Sequence, residues 1–128
     1  MLPDTLHTLQ LSERFAYAKL LAFITRVDNE VTEDEMAMFE QRMGTALLSP
    51  NQRAAIRDYL HNPPSLEECL DDLKAGEDKK AGKLALRDAI MMSAADGTVD
   101  EVEFDVLLKI ASGLGMDESV VDDLLDWV

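Results

Sequence analysis

Apolar residues in this chain recur at three- and four-residue steps and never alternate over a sustained stretch, a pattern of helices without strands. The spacing predicts a first long helix over about 12–28, opened by Ser12, and a second over about 33–47. Ser49 followed by Pro50 pairs an N-cap with proline at the first helical position, and starts a third helix carrying Ile56, Tyr59 and Leu60. Asn62-Pro63-Pro64 stops it. Ser65 with Glu68 three residues on opens a short fourth helix over about 66–75, closed by Ala75-Gly76. A fifth is expected over about 78–95 and a sixth over about 101–113, ended by Gly113 or Gly115. A seventh follows Asp117 and carries Val120, Val121, Leu124, Leu125 and Trp127. Residues 1–10 hold at most a further short helical turn.

The helices repeat. When the chain is slid by 68 residues, Asp28-Asn29-Glu30-Val31-Thr32-Glu33-Asp34-Glu35 falls on Asp96-Gly97-Thr98-Val99-Asp100-Glu101-Val102-Glu103. The register then continues without a gap: Phe39 meets Leu107, Ser49 meets Asp117, Ile56 meets Leu124 and Tyr59 meets Trp127. This predicts an all-α, single-domain bundle of about seven helices spanning 1–128. It would be built from two pseudo-symmetric three-helix units, about 12–60 and about 78–128, joined by a linker helix at about 65–75. One unit alone has too little core to fold, so the two should pack face to face about a pseudo-twofold axis.

Composition narrows the setting. Twenty-six acidic residues against twelve basic ones give 128 residues a formal charge of −14, which disfavours nucleic acid and anionic membrane surfaces. The charge is concentrated: residues 96–128 hold ten acids and one base, Lys109. A face that acidic attracts cations or a protein partner with a basic surface, although solubility alone also accounts for it. The one cysteine, Cys69, rules out an internal disulfide and a cysteine-rich zinc site. No apolar run reaches the roughly 20 residues of a membrane span, and Met1-Leu2-Pro3-Asp4 has no signal-peptide character, so the expectation is a cytoplasmic protein.

The repeated loop supports two readings. Asp96-Gly97 followed by Val99, Asp100 and Glu103 looks like the second half of a calcium-binding EF-hand loop. The first half is missing, with Met92 and Ala94 (Ile24 and Arg26 in the other copy) where acidic ligands belong, which argues against a true EF-hand. Helix capping explains much of the rest. Thr32 with Glu35, and Asp100 with Glu103, form capping boxes, while Val31–Met36 and Val99–Phe104 form hydrophobic staples. Asp28 and Asp96 are left over. Each lies near a helix C-terminus, where the macrodipole prefers a cation to a carboxylate. A bound cation would account for both, with Asp28 and Glu35, and Asp96, Asp100 and Glu103, as candidate ligands. Oxygen-only donors favour calcium, magnesium or manganese over zinc.

A long helix ending in Ala95-Asp96-Gly97, then Val99, then a Glu opening the next helix, then a Leu114-Gly115-Met116 turn resembles the TerB-like family. That family includes the tellurite-resistance protein TerB and the N-terminal domain of the DjlA co-chaperone. The resemblance is clearest over 86–126 and weaker over 20–60. It implies an all-α bundle of about seven helices with internal pseudo-symmetry, a metal-binding acidic cluster, and a role in bacterial metal or envelope stress. By position, Asp96 and Glu103 match the family's Asp and Glu, as do Asp28 and Glu35 in the first copy. Asn29 in place of Gly, and Arg26 two residues before Asp28, imply a weaker first site.

Little points to an enzyme. His7 and His61 lie far apart, Cys69 sits among Leu66, Leu70 and Leu73 as a buried structural thiol would, and no phosphate loop or nucleophile elbow occurs. The methionines at apolar helical positions, Met36, Met43, Met91 and Met92, read as core. The leading expectation is a non-catalytic cation-binding module of a stress response. The alternative is an acidic helical adaptor that docks a basic partner and holds no metal.

Overall fold

A computed structural model describes residues 6–26, 32–74, 80–94, 101–117 and 119–125. After a single 3-10 turn, Leu6–Thr8, come α1 (Leu11–Thr25), α2 (Glu33–Ala46), α3 (Pro50–His61), α4 (Leu66–Lys74), α5 (Lys80–Ser93), α6 (Glu101–Gly113) and α7 (Ser119–Leu125). There is no strand among the described residues.

The boundaries follow local capping chemistry. Ser49 Oγ accepts the Gln52 amide while Gln52 Oε1 accepts the Ser49 amide, a reciprocal box that starts α3. Ser65 Oγ accepts the Glu68 amide at the start of α4, and Asp117 Oδ1 accepts the Ser119 amide at the start of α7. One start differs from expectation. Ser12 does not open α1 but lies inside its first turn, because Glu13 Oε1 accepts the Gln10 amide and the helix begins at Leu11. Helix α6 ends in a Schellman motif: the Met116 amide donates to Ala111 O and the Gly115 amide to Ser112 O, with Gly115 at φ 78°. Gly115 is therefore the left-handed terminator. Gly113 stays helical and has a different duty, since a Cβ there would lie 2.6 Å from Leu70 Cδ1 where α4 crosses α6.

Helix α1 forms the centre of the molecule. It is apolar on nearly every side from Ala16 to Thr25, so it must be surrounded. Helices α2, α3, α4 and α5 pack against it, and α5 lies against it most extensively. Ala16, Ala18 and Ala22 on α1, with Ala85 and Ala89 on α5, are fully or almost fully buried and keep these contacts close. Burial carries the 68-residue register. Ala16, Tyr17, Ala18, Leu20, Leu21, Ala22, Ile24 and Thr25 correspond to Leu84, Ala85, Leu86, Asp88, Ala89, Ile90, Met92 and Ser93, and all sixteen are buried. The backbone carries it too, because Leu47, the only non-glycine described with positive φ (52°), corresponds to Gly115. The linker helix does not treat the units alike: α4 packs mainly on α1, with lesser contacts to α5 and α6.

Candidate functional site

The two acidic loops join α1 to α2 and α5 to α6. Asp28, Asp96 and Asp100 lie outside the described residues, as do Val31 and Val99 of the staples. Glu35 and Glu103 are described, and both are buried, at 3% and 5% exposure. Each is the third residue of its helix, so the early amides and the positive end of the helix dipole favour a carboxylate there. Thr32 caps α2 by accepting the Glu35 amide at 3.1 Å, and its hydroxyl donates to Glu35 Oε1 at 3.1 Å. Half of the expected capping box therefore forms in its usual manner. The carboxylate engages the Thr32 hydroxyl.

The helix before each loop ends on a buried hydroxyl three residues ahead of the candidate aspartate. Thr25 Oγ1 donates to Leu21 O at 2.8 Å, and Ser93 Oγ is buried with no hydrogen-bond partner among the described residues. Each loop is thus bracketed by a buried hydroxyl on one helix and a buried glutamate on the next. Among the described residues, no three acidic, histidine or cysteine side chains gather as a ready metal cage.

A second polar cluster was not anticipated from sequence. Asp88, wholly buried on α5, joins α1, α2 and α5. Its Oδ2 accepts the Tyr17 hydroxyl at 2.5 Å and lies 3.0 Å from Arg42 Nε, which also donates to the Tyr17 oxygen at 2.8 Å. Its Oδ1 accepts a hydrogen bond from Arg87 Nε at 2.8 Å and lies 2.8 Å from a terminal nitrogen of the same guanidinium. Burial above all, then the charge and hydrogen bond of Asp88, raise the Tyr17 pKa far above the usual phenol value against the opposing pull of Arg42. The signal in the sequence was an acid on the apolar stripe Leu84-Ala85-Asp88-Ala89-Met92, and a base beside Phe39 and Ala46 on α2. The cluster is sealed within the core, and its chemistry is that of a structural ion pair.

Lys19 ties α1 to the linker helix. Its ammonium pairs with Glu68, lies 2.9 Å from Asp72 Oδ2, and sits 5.3 Å from the centre of the Tyr59 ring. Burial disfavours its charge, but Glu68 and Asp72 together outweigh that, and its pKa stands above the usual lysine value. Cys69 is wholly buried beside it, and burial pushes its thiol pKa up to about 12, as befits an inert structural thiol.

A family model described as tellurite resistance protein TerB matches residues 14–125, from the first turn of α1 to the end of α7 and across both acidic loops. The chain belongs to the TerB family. No curated protein and no solved structure matches it. The family assignment agrees with the all-helical architecture and places Glu35 and Glu103, with the loop aspartates between the helices, inside the matched region. Among the described residues of this TerB-family chain, no helix is long and apolar enough to cross a membrane.

Proposed function

We propose that this TerB-family protein is a non-catalytic module that binds divalent cations at its two interhelical loops, within a bacterial response to tellurite, other metals or envelope stress. The observation that carries the reading is the pair of buried glutamates, Glu35 and Glu103, at matching positions in the two units. Burying a carboxylate is costly unless positive charge or hydrogen bonds compensate it, and each of these follows a loop rich in further oxygen donors. Glu35, Glu103, Asp28, Asp96 and Asp100 form an oxygen-only donor set, which suits calcium, magnesium or manganese. The second loop is the stronger candidate, because Asp100 adds a carboxylate that Thr32 replaces in the first.

Isothermal calorimetry on chelator-stripped protein with calcium, magnesium, manganese and zinc tests the reading. The expected result is saturable binding of at least one of the first three, lost on Asp96→Asn or Glu103→Gln. Heat from zinc alone, or from none of the four, would overturn it. A second reading then takes over, favoured by the exposed acids Glu101, Asp105, Asp117, Asp122 and Asp123 on and around α6 and α7. On that reading the protein is a metal-free cytoplasmic adaptor docking a partner with a basic surface.

A further inference from the structure

Helices α2 and α3 both pack on α1 and leave a groove between their outer faces. Met36, Phe39 and Met43 form one wall, and Leu48, Ile56 and Leu60 the end and the other wall, around a cavity of about 250 Å³. Met36 to Met43 is two helical turns, roughly 10 Å, and the wall residues recur at helical spacing on both sides. Two methionines make the surface adaptable.

The rim of the groove is as distinctive as its floor. On a chain of charge −14, the α3 edge carries Arg53 and Arg57, one turn apart and both exposed. Neither guanidinium pairs with a carboxylate among the described residues, whereas Lys19, Arg42 and Arg87 all do. The second unit treats the corresponding place differently. Val121 stands where the first unit has Arg53, and it is wholly buried in the core. The first unit therefore edges its apolar groove with two cations on the α3 side, opposite the exposed Glu40 on the α2 side, at a place where the second unit buries Val121.

We infer that the α2–α3 groove receives an amphipathic helix of a partner protein, with its apolar ridge between Met36, Met43, Ile56 and Leu60 and carboxylates one turn apart against Arg53 and Arg57. Anchors at i, i+3 or i+4, and i+7 match a two-turn groove between helices, and arginine pairs carboxylates with directional bonds. Met36 directly follows Glu35, so one end of the groove adjoins the first acidic loop, while Arg53, Ile56, Arg57 and Leu60 all lie on α3; binding is therefore tested without divalent cation.

The test uses two synthetic helical peptides with the same leucine ridge at i, i+3, i+4 and i+7. One carries two glutamates a turn apart beside the ridge, and the other carries lysines at those places. Binding to the full chain is read by fluorescence anisotropy and by the methyl resonances of Met36 and Met43, with chelator present. The glutamate peptide should bind, shift both methyls, and bind about tenfold more weakly to the doubly exposed variant Arg53→Glu/Arg57→Glu. That variant should instead take the lysine peptide. The inference is overturned if the two peptides bind the natural chain equally, or if neither binds. It is also overturned if only an aliphatic carboxylate such as dodecanoate moves the two methyls. Sedimentation showing that the groove is filled by a second copy of the chain, and emptied by the double variant, overturns it too.

Discussion

Asp88 is the residue on which the interior depends most. Its two oxygens satisfy Tyr17, Arg42 and Arg87, which come from three helices, without access to water. Removing one partner of a buried charge network strands the others, so Asp88→Ala should cost about 3–5 kcal/mol in urea unfolding. Tyr17→Phe deletes two hydrogen bonds, the one given to Asp88 and the one accepted from Arg42, but keeps the ring, and should cost about 1–3 kcal/mol. Equal losses for the two variants would show that the packing of the site matters more than its charge.

The pH dependence is also set by single residues. Tyr17, Lys19 and Cys69 all have folded-state pKa values above their usual ones, for Cys69 about 12 against 9.0. In each case the native state holds its proton more tightly than the unfolded chain. Their contribution is therefore fully present below the unfolded pKa and lost as pH rises through the folded one. Stability measured from pH 7 upward should begin to fall near pH 9 and keep falling into the alkaline range. Thiolate absorbance of the native protein should stay low to about pH 12 and appear near pH 9 in urea. A native thiol that titrates near 9 would place Cys69 in contact with solvent.

At the scale of the helices, the two units end their second helix by different means at one structural position. Gly115 occupies the left-handed region, where glycine is tolerated freely, while Leu47, a residue 65% exposed, occupies it at φ 52°. Arg14 supports the strained end by donating to Ala46 O at 3.0 Å. Substitutions should have opposite signs at the two sites. Gly115→Ala should destabilise by about 1 kcal/mol through backbone strain, since no atom crowds the new methyl. Leu47→Gly should stabilise by up to about 1 kcal/mol, little apolar contact being lost. Thermal melts of both variants decide this, and a destabilising Leu47→Gly would mean that the leucine makes contacts that outweigh its strain. The helices themselves were legible because Ser49, Ser65 and Asp117 announce their caps locally. The start of α1 was misplaced because Glu13 reaches back to Gln10, a pairing weaker in sequence than the Ser12 signal.

For the whole molecule, the acidic third and the two loops should make stability respond to cations. Ligand that binds only the folded state stabilises by mass action, so millimolar calcium or magnesium should raise the melting temperature. Asp96→Asn should abolish the rise, and without metal it should leave the protein as stable or slightly more so, because a carboxylate near a helix C-terminus is unfavourable there by roughly 0.3–1 kcal/mol. Asp28→Asn should have the smaller effect, Arg26 already supplying positive charge nearby. A melting temperature indifferent to every divalent cation would leave both aspartates as loop residues. An experimental structure should superpose 20–60 on 88–128 about a pseudo-twofold axis, and different helix packing in the two units would contradict that symmetry.

Helix periodicity, caps and the 68-residue register are written in side-chain spacing and backbone preference, so the order of residues along the chain suffices to set them. It also sets Glu35 and Glu103 in equivalent places, because both follow from the same N-terminal helix pattern. That these two carboxylates are buried follows from how the helices pack, since burial depends on which faces meet. The same is true of the Asp88 cluster: Tyr17, Arg42 and Asp88 are distant in sequence, and an acid on an apolar stripe does not name its partners. The groove between α2 and α3 was equally invisible. Met36, Met43, Ile56 and Leu60 read as core by their spacing, and only the packing of both helices on α1 leaves their outer faces apart, with Arg53 and Arg57 along the edge.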